Sequence, residues 1–194
     1  MFDLFTIGLI IVAIVIIAII VWLIMAYNSL VATRKQVDNS WAQIDVQLKR
    51  RADLIPNLIE TVKGYAKFEK KVLTDVTKAR TAILSAKTPK EAAKGDNMLQ
   101  GALKSIFAVA ESYPQLKASE NFAKLQEELT ATENKVSFAR QFYNDMVTKW
   151  NIMIVQFPTN IVASMFGMKS DKELFEAEEG ERKNVKVDFS DINK

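Results

Sequence analysis

The sequence has no cysteine and no histidine among its 194 residues. Without cysteine there is no disulfide, no thiolate metal site and no cysteine nucleophile. Without histidine the chain loses the commonest general base, the commonest metal ligand and the side chain that titrates near neutrality. A helix-borne di-iron centre, which expects Glu-x-x-His, is therefore also excluded. With only six glycines and four prolines, the chain carries neither a glycine-rich phosphate loop nor a Gly-x-Ser-x-Gly elbow. The equipment of most enzymes is missing, and no catalytic, cofactor-binding or metal-ligating residue is expected. A carboxylate-based membrane-bound hydrolase using Asp or Glu is the remaining enzymatic alternative.

Charge is present but unfocused. There are 26 basic and 23 acidic residues, a net +3, interspersed along the chain. The tight basic cluster Lys49-Arg50-Arg51 lacks the stacking aromatics and glycines of a nucleic-acid site, so no nucleic-acid partner is expected. Asp53 and Glu60 share a helix face, and Glu127, Glu128 and Glu133 cluster, but they read as solvated helix charge.

One long segment has no charge at all. Leu4 to Ala26 is an uninterrupted uncharged run of 23 residues. As a helix it is roughly 34 Å long, enough to cross a hydrocarbon core of about 30 Å. The run is too long for a signal peptide, follows Asp3 rather than a basic region, and leads into Tyr27-Asn28 rather than a cleavage site. It is expected to be an uncleaved, single-pass transmembrane anchor in contact with lipid, with Trp22 and Tyr27 suited to an interfacial aromatic belt. Arg34 and Lys35 beyond it favour an outside N-terminus and a cytoplasmic body at the cell (inner) membrane.

From Tyr27 onward, alternating steps of three and four residues land on Tyr27, Leu30, Arg34, Val37, Trp41, Ile44, Leu48, Arg51, Ile55, Leu58, Val62 and Tyr65. This is a helical stripe of 3.5 period. A second stripe runs Phe122, Leu125, Leu129, Thr132, Val136, Ala139, Tyr143, Met146, Trp150, Met153, Phe157. The spacing predicts long helices over about 27–63 and 117–157, and short ones over about 68–86 and 94–112. Thr88-Pro89 and Gly95-Asp96 are taken as the punctuation around the short helices. Pro56 is expected to bend the first helix and Gly64 to stop it, with a break at 51–56, N-capped by Asp53, as the alternative. Strand alternation is confined to Val185–Phe189. The expected fold is all-α: an N-terminal transmembrane helix, then an up-and-down four-helix bundle of two long and two short helices. The domains are 1–26 (anchor), 27–168 (bundle) and 169–194 (a charged, partly ordered tail).

Several residues stand out as candidate structural or partner sites. Tyr27-Asn28 and Tyr143-Asn144 open two Tyr-Asn-x-(Leu/Met)-Val segments expected to face each other, with buried asparagines setting helix register. Arg51, Asp53 and Pro56 place charge and proline on an otherwise apolar stripe, with Asp53 or Glu133 as salt-bridge partner for Arg51. Phe157, Ile161, Met165 and Phe166 recur at helical spacing after the last long helix. They suit packing within the bundle slightly better than the bilayer surface.

These blocks resemble the LemA family of prokaryotic membrane proteins. The resemblance covers nearly everything from Tyr27 to Phe189. It rests on Tyr27-Asn28-x-Leu30-Val31, Trp41 to Arg51 (Trp-Ala-Gln-Ile-Asp-Val-Gln-Leu-Lys-Arg-Arg), Asp53-Leu54-Ile55-Pro56-Asn57-Leu58, Val62-Lys63-Gly64-Tyr65-Ala66, Tyr113-Pro114, Thr132-Glu133-Asn134, Ala139-Arg140-x-x-Tyr143-Asn144 and Phe157-Pro158. It implies a small outside N-terminus, a transmembrane helix and a four-helix up-and-down bundle, with envelope-stress, protease-associated or membrane-remodelling partners. It implies no known reaction. Family members commonly carry histidines where this chain has Ala52 and Phe68, which argues against catalysis by those histidines. A scaffold or adaptor with an unidentified protein partner is the expected function, with a homo-oligomeric structural membrane protein as a further alternative.

Overall fold

The computed structural model describes residues 3–65 and 70–175. Among these every regular element is helical: α1 (Leu4–Tyr65), α2 (Lys70–Ser85), α3 (Pro89–Ala110), α4 (Pro114–Lys117), α5 (Glu120–Val155) and α6 (Thr159–Met165). The alternating segment at 185–189, Phe68 and most of the expected tail lie outside the described residues. The chain divides into two compact units, Met1–Gln43 with Gln141–Glu173, and Ile44–Arg140 with Leu174–Lys194.

In the first unit, α1 begins as a helix exposed on every face, its Leu, Ile and Val side chains from Leu4 to Val21 open to the surroundings, and Trp22 and Leu23 are the first to be half-buried. This is the one candidate membrane-spanning segment among the described residues. Burial begins at Ala26 and Leu30, without interruption of the helix. The end of α5 runs antiparallel to it. Trp41 meets Tyr143 with ring centroids 6.0 Å apart, and the Thr33 hydroxyl donates to Met153 Sδ at 3.3 Å. Trp150, Leu30 and Val37 fill the core here. After α5, α6 ends in a Schellman motif. Gly167, at φ 65°, donates to Ser164 and Met168 donates to Ala163. The positive φ explains glycine at that position.

The buried stripe of α1 runs Ala26, Leu30, Thr33, Val37, Ser40, Ile44, Leu48, Arg51, Ile55, Leu58 and Val62, with Ala52 buried beside it. The mean spacing of the stripe is about 3.6, that of a straight α-helix. The expected 3.5 stripe holds at Leu30, Val37 and Ile44, but Tyr27 and Trp41 are only half-buried and Arg34 is exposed. The smaller Ala26, Thr33 and Ser40 take the inner positions instead.

In the second unit Pro56 sits inside α1, so the alternative of a break at residues 51–56 is not realised. Asp53 is accordingly an exposed mid-helix residue and caps nothing. Proline lacks the amide that would bond the carbonyl four residues back, which is that of Ala52. Ala52 is fully buried, and its carbonyl accepts from Arg80 Nε at 3.1 Å. The side chain from α2 thus replaces the missing helical donor. At the other end α1 reaches Tyr65, close to the stop expected at Gly64.

Gly95-Asp96, taken as a turn from its composition, lies within α3 and is buried. The helix instead starts at Pro89, where N-cap Thr88 accepts from the Glu91 amide at 3.2 Å and proline takes the first turn. Gly95 is needed for close approach. A Cβ there would lie 2.9 Å from the backbone nitrogen of Ile83 on α2.

Candidate functional site

The second unit holds a buried cluster of charge. Arg51 and Asp96 occupy inner positions on α1 and α3, and their side chains are 4% and 0% exposed. Arg51 Nη1 donates to Asp96 Oδ1 at 2.7 Å and also pairs with Glu133 of α5. Glu133, at the cluster's outer edge, accepts from Gln100 Nε2 at 2.7 Å. Arg140 lies 3.7 Å from the second Asp96 oxygen and covers the ring of Phe175, its guanidinium carbon 4.7 Å from the centroid. Two cations and two anions neutralise one another where unpaired charge would be costly. Beside them opens a cavity of about 200 Å³, with Leu103, Phe107 and Leu129 on its apolar walls and Arg51, Gln100 and Glu133 at its polar side.

Of the residues predicted from sequence, Arg51 belongs to this cluster with Glu133 as partner. Asp53 does not, because its side chain points to solvent one step round the helix. Pro56 acts at one remove, through the Ala52 carbonyl and Arg80. Asp96 was missed. Its signal was available in the series Ala92, Asp96, Leu99, Leu103, Ile106 and Ala110, which repeats every three or four residues and includes one acid among apolar side chains.

The first unit brings the remaining candidates into two contacts. Tyr143 is buried, and its hydroxyl donates to the Glu173 carbonyl at 2.7 Å. Burial, with the negative charges of Glu173 and Asp38 nearby, pushes its phenol up to about 12. The Tyr27 ring packs on Phe166 at 4.5 Å between centroids. Asn28 is exposed and Asn144 half-buried, so the expected pair of buried asparagines is absent. An outward position one step from Leu30's side of the helix cannot reach α5. Residues 169–175, the start of the expected tail, lie along the helices. Asp171 pairs with Arg34 at 3.6 Å, Lys172 with Asp38 at 2.8 Å, and Ser170 donates to Asn151 at 2.7 Å. Phe157, Ile161, Met165 and Phe166 are exposed, whereas Val162 and Ala163 of α6 are buried. Of the apolar residues singled out after α5, Phe166 keeps a contact with Tyr27, while Phe157, Ile161 and Met165 stay exposed rather than joining the packing expected of them.

No group of three or more Asp or Glu among the described residues is placed to hold a metal ion. The buried acids are committed to arginines, an arrangement suited to fixing helices against one another.

The chain is 28% identical over 169 residues to Protein LemA of Metamycoplasma hominis, an alignment covering 85% of this chain and 74% of that one. It is 24% identical to Magnetosome protein MamQ 2 of Paramagnetospirillum magneticum and 21% identical to Magnetosome protein MamQ of Magnetospirillum gryphiswaldense. Those alignments cover 76% of this chain and 64% of each MamQ protein, so the chain spans somewhat under two thirds of their length. The profile described as the LemA family matches residues 40–189. With more than three quarters of its length under that profile, the chain belongs to the LemA family.

Proposed function

We propose that this protein is a single-pass, membrane-anchored helical bundle acting as a non-catalytic scaffold or adaptor for other membrane or envelope proteins. The observation that carries this reading is the continuity of α1. One helix is exposed and apolar on all faces from Leu4 to Val21, then buries one face from Ala26 to Val62. An anchor joined to its body by helix rather than by a flexible linker holds that body at a fixed height and heading. Such a part is suited to presenting a surface. The names of the relatives, Protein LemA and Magnetosome protein MamQ, denote no reaction.

In this reading α1, α2, α3 and α5 form the up-and-down bundle, with the anchor at 1–26 and the body from 27. Arg34 and Lys35 keep the body cytoplasmic. The apolar cavity of Leu103, Phe107 and Leu129 is where a partner side chain docks. Photocrosslinking from Lys104, which also lines that cavity, tests the reading in native membranes with mass identification of the products. A recurrent partner, lost in a Leu103→Glu variant, supports it. Recovery of the protein alone under gentle solubilisation overturns it. A reporter fused at Lys194 checks the orientation independently.

A further inference from the structure

We propose that the apolar turn at residues 152–166 is a second membrane contact, seated at the headgroup–acyl boundary of the bilayer that α1 enters. The inference rests on the anchored reading of α1 and extends it to a surface distant in sequence. Outside the anchor, twelve large apolar side chains are exposed among the described residues, and six of them fall in this short stretch: Ile152, Val155, Phe157, Ile161, Met165 and Phe166. Scattered exposed hydrophobics need no explanation, but a contiguous set does.

Charge supports the same partner. From Asn151 to Met168 there is no Asp, Glu, Lys or Arg, whereas a quarter of the whole chain is charged. Lys149 and Lys169 bracket the stretch, where long cationic side chains can reach lipid phosphates while their stems stay in the interface. A protein surface merely exposed to water would not need to exclude both signs over this length.

Height supports it too. The Phe166 ring packs tilted on Tyr27 at 4.5 Å between centroids, and Tyr27 directly follows the anchor segment Leu4 to Ala26. Thr33, which touches Met153, lies seven residues past Ala26, roughly 10 Å further along α1. Headgroup layers are several ångströms thick on each side of the hydrocarbon, and interfacial segments sink about 5–10 Å. The turn from α5 into α6 thus lies at the level where the anchor leaves the bilayer. Val162 and Ala163 hold α6 to the protein while Ile161 and Met165 face outward.

The absence of native cysteine permits a direct test with the full chain in phosphatidylcholine–phosphatidylglycerol vesicles. Single variants Phe157→Cys, Ile161→Cys and Met165→Cys receive an environment-sensitive NBD label, with Ile16→Cys and Phe138→Cys as anchor and water controls. Expected are blue-shifted emission at 157, 161 and 165, and quenching by a shallow acyl-chain nitroxide several-fold stronger than at 138. Water-like emission at both 161 and 165 overturns the proposal. So does a blue shift without nitroxide quenching, which would mean that protein, for example a second copy, covers the turn. A label at Ile16 that escapes a deep nitroxide instead overturns the anchored reading itself. Circular dichroism of each labelled protein confirms that the helices are retained.

Discussion

Removing Arg80 should cost stability only because Pro56 is there. In the native chain the Ala52 carbonyl is buried and has no helical donor, since residue 56 is proline. Arg80 Nε supplies the bond at 3.1 Å. Arg80→Met keeps most of the stem's packing but leaves that carbonyl unsatisfied, a loss of about 1–3 kcal/mol. The bond is only part-buried, so the lower half of that range is expected. In a Pro56→Ala background the amide of residue 56 can close the ordinary helical bond to Ala52. Arg80→Met should then cost a few tenths of a kcal/mol, as for a half-exposed side chain. The pair of substitutions should therefore couple by about 1 kcal/mol or more. Urea unfolding of the four full-length proteins in detergent micelles, followed by far-ultraviolet circular dichroism, measures the cycle. Equal costs of Arg80→Met in the two backgrounds would refute the reasoning, because the arginine would then act through something other than the carbonyl left open by proline.

Arg51→Met should destabilise by about 3–5 kcal/mol, since it takes from the buried Asp96 its 2.7 Å ion-pair partner, while Arg140 lies farther off at 3.7 Å. Adding Asp96→Asn should recover part of that loss in the same urea assay, and strict additivity would contradict the cluster. Gly95→Ala should lower the thermal midpoint, the clash with the Ile83 backbone costing about 1–3 kcal/mol against a helix-propensity gain of about 1. Gly101→Ala, with open space at the same helix's outer face, should raise it by about 0.5–1 kcal/mol. Tyr143 favours its neutral phenol in the folded state, so its contribution is complete below the ordinary tyrosine value of 10 and disappears as pH rises toward about 12. The loss is at most about 2–3 kcal/mol, less where water reaches the hydroxyl. Comparing the alkaline stability slopes of the native chain and Tyr143→Phe isolates it, and identical slopes would count against the Tyr143–Glu173 bond.

The exposed apolar start of α1, the candidate span, was legible as an uncharged run, and the core side of α1 because Leu30, Val37, Ile44, Leu48, Ile55, Leu58 and Val62 repeat helically. What the periodicity misplaced were the positions between. Large Tyr27 and Trp41 suggested a coiled-coil seam, but the helix keeps its 3.6 period and puts Ala26, Thr33 and Ser40 inside. Gly95-Asp96 misled for a different reason. Its local chemistry is that of a turn, and only the approach of α2 to within 2.9 Å of an added Cβ explains why glycine stands in a helix there. Arg51 and Asp96 each appear as one charge interrupting an apolar stripe, and two interruptions of opposite sign were a pairing signal. Asp53 or Glu133 is the partner the sequence suggests for Arg51, and the structure has Glu133, while Asp96 is hidden by the assignment of its segment to a turn.

In the proposed reading of α1 as anchor and framework in one, its unbroken passage also sets an angular phase. In a straight helix each residue turns the chain about 100° and advances it about 1.5 Å. One residue inserted between Ala26 and Tyr27 would rotate Leu30, Val37 and the α5 segment packed on them by more than a quarter turn relative to the anchor. Two would point the same surface nearly backward, and four would restore the heading almost fully while lifting it by about 6 Å. Length in the anchor is thus read out as direction at the body, and natural length changes there should cluster near whole turns.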